Sequence, residues 1–323
     1  MAKAFRLSLM KTVILGGIAL VLSACPLLAQ KTLKAELLLD SKSVLGEGAI
    51  WHPSAQELYW VDIEQGFLHV YKPASRQNKT VALGQKVGTV VPSSSGNAIV
   101  ALHDGIYRYR FAEKKLELII PNPENTTTLN RFNDGKCDPA GRLWVGTIGS
   151  NKSAALYCMD SQYRMARMKE EVAISNGIVW SLDKKTMYYI DTPTGKVVVY
   201  DYDNDSGEIT NPRDAIIIPP DMGGPDGSTI DAEGMIWIAH WGAYCVARWN
   251  PLTGEMLCKV QVPAAHVTSC AFGGANLDSL FITTARTGVS DEDLKKYPLS
   301  GGLFVVEPGV RGVEANLFVE KDQ

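Results

Sequence analysis

Glu47, Asn133, Asn176 and Asp226 are the side chains whose types and placement could do chemistry together. Each lies at a set distance before a bulky apolar residue. Glu47 and Asn176 stand 13 positions ahead of Trp60 and Tyr189, and Asn133 and Asp226 stand 11 ahead of Trp144 and Trp237. Two carboxylates and two amide oxygens are hard donors. Such a set suits one divalent ion, Ca²⁺, Mg²⁺ or Mn²⁺, and would tolerate Zn²⁺. Glycines accompany them in Gly46-Glu47-Gly48, Asn133-Asp134-Gly135, Asn176-Gly177 and Asp226-Gly227. A residue without Cβ lets the backbone close around a small centre. Asn-Gly and Asp-Gly also make ordinary turns, but independent turns have no reason to share a phase.

The elements that must position these residues repeat along the chain. Trp60, Ile99, Trp144, Tyr189, Trp237 and Phe281 sit in short apolar-aromatic runs spaced 39, 45, 45, 48 and 44 residues apart. A period in the forties built from short strands indicates a β-propeller. Turn clusters precede the runs, as in Asp138-Pro139-Ala140-Gly141 and Asp231-Ala232-Glu233-Gly234, and second hairpins follow them at Gly66, Gly105 and Gly195. The expectation is an all-β, six-bladed propeller with a single metal site at one mouth of its channel. A strand near Leu33–Leu39 completes the last blade beside Gly302–Val306 and closes the ring. The only helical segment expected is a short turn at Asp291–Lys296.

The chain has 323 residues, 46% hydrophobic and 21% charged, with net charge −3 and pI near 6.0. That balance excludes wholesale disorder and argues against a nucleic-acid partner. The N-terminus reads as an export signal: Lys3, Arg6 and Lys11 precede an apolar stretch from Thr12 to Ala24. Leu22-Ser23-Ala24-Cys25 resembles a lipobox that would make Cys25 a lipid anchor. Cleavage after Leu27-Leu28-Ala29 would instead free a soluble protein, and an uncleaved anchor is the third reading. Residues 1–24 are thus taken as a signal peptide, residues 30–323 as the propeller domain, and the mature net charge as −6. The expected location is periplasmic or outer-membrane-associated, with membrane contact only through Cys25, and the expected state is a monomer. Cys137, Cys158, Cys245, Cys258 and Cys270 form no Cys-x-x-Cys pair and read as buried thiols.

At the quoted residues the chain resembles the senescence-marker-protein/regucalcin/gluconolactonase family of six-bladed propeller lactonases. The matching segments are Leu45-Gly46-Glu47-Gly48 with Trp51, Arg131-Phe132-Asn133-Asp134-Gly135-Lys136, Ile174-Ser175-Asn176-Gly177, Pro225-Asp226-Gly227, and Thr268-Ser269-Cys270 with Phe272-Gly273-Gly274. They span about residues 36 to 316. The resemblance implies hydrolysis of a sugar-type lactone to its hydroxy acid at one divalent metal. It implies Glu47, Asn176 and Asp226 as metal ligands, and Arg131 and Asn133 as the pair that contacts substrate. Family members often carry an acidic loop after the Gly-Thr that matches Gly146-Thr147. Here Ile148–Lys152 has no carboxylate, a departure that bears on which lactone fits.

Residue chemistry suits that activity. Asp226 could serve as ligand and as general base toward the attacking water. Arg131 could meet the developing oxyanion or a substrate carboxylate. A nucleophilic serine is disfavoured because no Gly-x-Ser-x-Gly elbow is present. His240 and His266 flank inner-strand segments and read chiefly as structural. Two rivals stand beside the lactonase: a membrane-tethered calcium- or ligand-binding propeller without turnover, and an aryl-ester or organophosphate hydrolase.

Overall fold

The structure is a computed structural model that describes residues 31–124 and 130–320. The expected signal segment, with Cys25, lies outside the described residues. Strands β1 (Lys31–Lys34) and β2 (Glu36–Leu39) come first. Four separate four-stranded antiparallel sheets follow. The first holds β3 (Gly46–His52), β4 (Glu57–Asp62), β5 (Phe67–Lys72) and β6 (Gln77–Ala82). The second holds β7 (Val87–Pro92), β8 (Ala98–Leu102), β9 (Gly105–Arg110) and β10 (Lys115–Pro121). The third holds β11 (Arg131–Cys137), β12 (Leu143–Ile148), β13 (Ala154–Met159) and β14 (Met165–Val172). The fourth holds β15 (Ser175–Trp180), β16 (Thr186–Asp191), β17 (Lys196–Tyr202) and β18 (Ile209–Ile217).

The remaining strands are β19 (Gly224–Ile230), β20 (Ile236–Trp241), β21 (Cys245–Trp249), β22 (Met256–Gln261), β23 (His266–Gly273), β24 (Ser279–Ala285) and β25 (Leu303–Val306). With β1 and β2 they form one nine-stranded sheet rather than two separate ones. β19 to β22 and β23 to β25 each run as an antiparallel set, and a single backbone pairing, Trp241 with His266, joins them. The first strands β3, β7, β11, β15, β19 and β23 contact one another in turn, and β23 returns to β3. This is a propeller, with those first strands lining its channel.

The repeat anchors explain the ring. Trp60, Ile99, Trp144, Tyr189, Trp237 and Phe281 fall on the second strands β4, β8, β12, β16, β20 and β24, and all are buried. Trp51 of β3 stacks on Phe281 at 5.8 Å, so the aromatic side chains pack one sheet on the next. The turn aspartates lock two of these anchors. Asp138 Oδ1 accepts the Ala140 and Arg142 amides while Oδ2 accepts Trp144 Nε1, and Asp231 repeats the pattern with Glu233, Met235 and Trp237.

The N-terminal closure differs from expectation in one respect. β2 pairs with β25 as anticipated, but the extended run breaks near buried Ala35. Residues 31–34 instead form β1, which adds parallel to β22 of the neighbouring set. The helical turn α1 (Asp291–Lys296) is present, capped by Ser290. Cys137, Cys158, Cys245 and Cys270 are buried free thiols, and Cys258 is buried on β22.

The C-terminal segment makes a second closure that the repeat does not announce. Gly312 donates to Leu277 O, Asn316 Nδ2 to Cys137 O, and Phe318 N to Pro92 O. Phe318 is fully buried, and the Glu320 carboxylate pairs with Arg108 and accepts from Ser93 and Ser95. This strap crosses the end of the channel remote from Glu47 and Asp226. Beneath it is a cavity of about 230 Å³ whose lining includes Trp51, Lys136, Trp180 and Asn316.

Candidate functional site

Five of the first strands carry their polar residue at the same structural feature. Pairing with the second strand slips between Glu47 and Ile50, Phe132 and Gly135, Asn176 and Ile178, Pro225 and Ser228, and Val267 and Ser269. A slip of this kind is a β-bulge. It breaks the alternation of faces and re-aims a side chain, here toward the channel. Glycines allow the bulged strands to approach: a Cβ at Gly177 would lie 2.8 Å from Asp226 O, and one at Gly227 would lie 2.6 Å from Ser269 Oγ.

Glu47, Asn133, Asn176 and Asp226 are each 4–6% exposed. The Glu47 and Asp226 carboxyls are close enough to shift each other's ionisation. Burial pushes the Glu47 pKa well above the carboxylate range, and Asp134 adds to the rise. Asp226 is raised by burial too, then by Glu47 and Asp134. Asp226 Oδ1 is buried and has no hydrogen-bond partner among the described residues.

Hydrogen bonds fix the orientation of both amides. Thr192 Oγ1 donates to Pro225 O at 2.7 Å, so it accepts from Asn176 Nδ2, also at 2.7 Å. That turns Asn176 Oδ1 away from Thr192, where it accepts from Asn133 Nδ2 at 2.9 Å. Asn133 Nδ2 also donates to Ser175 O, and its Oδ1 accepts from Arg131 Nη1 at 2.7 Å. One chain therefore runs Arg131, Asn133, Asn176, Thr192, Pro225 across β11, β15 and β19, ending next to Asp226. Burial lowers the Arg131 pKa, while Glu64 and Glu47 oppose that shift.

The structure brings the five sequence-predicted residues into one linked cluster. Among the described residues no group of three His, Cys, Asp or Glu side chains is arranged to hold a metal ion. The candidate donors are instead two carboxylates and an amide oxygen. They fit a hard divalent cation: a carboxyl pair is buried, one of its oxygens lacks a donor, and the buried Asn176 amide stands on the neighbouring first strand.

Sequence reasoning missed Asp134 and Lys136. Both lie in the channel on β11, and each is shifted by burial, Asp134 upward and Lys136 downward, with each opposing the other's shift. Lys136 Nζ donates to Ser228 O. The signal available was Lys136, a charge opposite the anchor Trp144 where other sheets place Val91, Ile178, Thr229 and Ala271. Thr192 gave no signal, because its role depends on a chain of contacts through three strands. His240 lies in the core, with Trp249 Nε1 donating to its Nε2 at 3.3 Å. His266 begins β23 at the mouth.

The comparisons with known proteins agree on one family. The description "SMP-30/Gluconolactonase/LRE-like region" matches residues 45–286, which contain the whole cluster. The chain belongs to the SMP-30/gluconolactonase/LRE-like family. It is 38% identical over 273 residues to a Bacillus subtilis (strain 168) protein named "Putative sugar lactone lactonase YvrE", covering 84% of this chain and 93% of that protein. It is 33% identical over 291 residues to regucalcin of Macaca fascicularis, covering 87% and 97%. Among solved structures it superposes on a calcium-binding protein, regucalcin, of Agrobacterium tumefaciens str. C58. The TM-score is 0.84 at 28% identity, covering 89% of this chain and 98% of that one. For this SMP-30/gluconolactonase/LRE-like protein, the matched region begins at Leu45, just before Glu47, and ends at Arg286, just past β24.

Proposed function

We propose that this protein is a metal-dependent lactonase that opens a sugar-type lactone to its hydroxy acid. The observation that carries the reading is the buried Glu47–Asp226 carboxyl pair, with Asp226 Oδ1 lacking a donor and Asn176 on the neighbouring first strand. The family's lactonase and calcium-binding members support it. Its scaffold is read as six blades: four separate sheets, plus the two antiparallel sets of the nine-stranded sheet, each led by its own channel-lining strand.

Glu47, Asn176 and Asp226 would hold one divalent cation, Ca²⁺, Zn²⁺, Mg²⁺ or Mn²⁺. Bound there, the ion would polarise the lactone carbonyl and acidify water. Asp226 takes the proton from the attacking water at its Oδ1, the oxygen with no other donor. Arg131, held by its bond to Asn133, supplies positive charge toward the oxyanion that forms when water adds to the carbonyl; its collapse breaks the ring C–O bond, and the proton taken by Asp226 passes to the leaving alkoxide. Asn133 fixes both Arg131 and Asn176, so it sets the spacing between the charge-stabilising and ligand sides of the site. The test is initial-rate hydrolysis of aldonolactones by metal-stripped protein, with each metal restored, beside Asp226→Ala. Metal-dependent turnover that the variant loses supports the reading, and turnover independent of both contradicts it.

A further inference from the structure

β23 lies between the two carboxylate-bearing strands: β19, with Asp226, on one side and β3, with Glu47, on the other. At its mouth end stands a pair of stacked rings. Trp241 and His266 lie 3.9 Å apart at 18°. Both are half-buried, and theirs is the backbone pairing that joins the two sets of the nine-stranded sheet. Trp241 also pairs with Gly224, two residues before Asp226, and His266 stands three residues before Ser269. At about 3.3 Å per residue, the rings stand roughly 7–10 Å outward of the carboxyl layer.

The surroundings hold the pair in place. His266 Nδ1 lies 2.8 Å from Thr287 O; a carbonyl only accepts, so Nδ1 carries the hydrogen. Burial lowers the His266 pKa, which keeps the ring neutral. The amides of Arg286 and Thr287 both donate to Val44 O, at the entry to the Glu47 strand. Gly288 lies at φ +72°, where a Cβ would reach 3.3 Å from His266 Cε1 and 3.8 Å from Trp241 Cζ2. The stack, the His266–Thr287 bond and the close approach of Gly288 thus hold the ring pair beside the starts of β19 and β3.

We infer that Trp241, backed by His266, is a specificity-determining residue that stacks on a flat ring carried by the lactone, so that an aryl-fused lactone gains more from this residue than a polyhydroxylated one does. The inference rests on the lactonase reading. A lactone bound at Asp226 would extend past the outward ends of β19 and β23, where this ring pair stands. An aromatic face rewards a flat apolar ring. On the other side, the Ile148–Lys152 loop carries no carboxylate to accept from sugar hydroxyls.

The test joins binding to turnover. Wild type, Trp241→Ala, Trp241→Leu and Trp241→Tyr are titrated by calorimetry with 3,4-dihydro-2-quinolinone, a bicyclic lactam that resists opening. The same proteins are assayed on dihydrocoumarin and glucono-δ-lactone, and their melting temperatures are recorded. Trp241→Ala should weaken lactam binding and raise KM for dihydrocoumarin about tenfold, with a smaller rise for glucono-δ-lactone. Trp241→Leu, apolar but not aromatic, should fall about fivefold, and Trp241→Tyr should recover to within about threefold. Equal lactam affinity in all four proteins would overturn the inference, as would no lactam binding by wild type or equal losses on both lactones. If wild type opens neither lactone yet its lactam affinity tracks the ring at position 241, the wall stands and the lactonase reading fails.

Discussion

Two carboxyl groups buried against each other repel unless a proton or a cation sits between them. Glu47 and Asp226 are in that position, and Asp134 adds a third negative neighbour. In metal-free protein, Glu47→Gln removes repulsion, so it should leave the melting temperature unchanged or raise it by a few degrees. The same variant should abolish the increase that wild type shows when Ca²⁺ or Zn²⁺ is added. A fall in the metal-free melting temperature with the metal increment retained would remove Glu47 from the ligand set. The identity of this pair was legible from phase alone, since Glu47 and Asp226 hold near-equal offsets from Trp60 and Trp237. The orientation of Asn176 was not, because it depends on Thr192 giving its only hydrogen to Pro225 O. Asp134 escaped for a related reason: a bulge between Phe132 and Gly135 interrupts the alternation that would set Asn133 and Asp134 on opposite faces.

At the scale of the element, the repeat was visible wherever a strand follows a turn with its own chemistry. Asp231 shows why. Its buried carboxylate binds two turn amides, the Trp237 indole and the Arg248 guanidinium at 2.7 Å, so turn, anchor and next strand are joined at one residue. Asp231→Ala strands the Trp237 indole donor and leaves the mostly buried Arg248 with only the exposed Glu233 carboxylate. It should cost about 3 kcal/mol in urea unfolding, whereas Asp203→Ala, in an exposed turn, should cost under about 1 kcal/mol. Equal losses would show that the buried network contributes nothing special. The bulges had no such sequence mark. Nor did the break at Ala35, since Leu33–Leu39 reads as one extended run and only tertiary pairing divides it between β22 and β25.

At the scale of the whole molecule, both ends of the chain tie the ring, and only the N-terminal closure was foreseen. The strap of residues 310–320 has no periodic pattern, and Glu320 finds Ser93 at a separation of 227 residues. Acid should loosen the ring through its buried imidazoles. Burial lowers the pKa of His69, stacked on Trp60, and of His240 from 6.5 to about 4. Between those values the unfolded chain binds protons that the folded chain does not, so the imidazole contribution to stability falls as pH drops from about 6.5 to about 4, opposite in sign to that of the raised Glu47 and Asp226 carboxyls. Each ring should remove about 2 kcal/mol between pH 7 and pH 5. The urea midpoint of His69→Gln should therefore fall less over that range than wild type's; parallel curves would refute the assignment. At the other end, we propose that Cys25 anchors the exported chain. In a bacterial host the full chain should partition with membranes and Cys25→Ser should not; identical partitioning would exclude the anchor. The most direct test of the central claim remains hydrolysis of an aldonolactone panel by metal-stripped protein, with Ca²⁺, Mg²⁺, Mn²⁺ or Zn²⁺ restored singly and Asp226→Ala run in parallel. Turnover should return with metal in wild type and stay at background in the variant. Saturable metal binding without turnover on any lactone would contradict it.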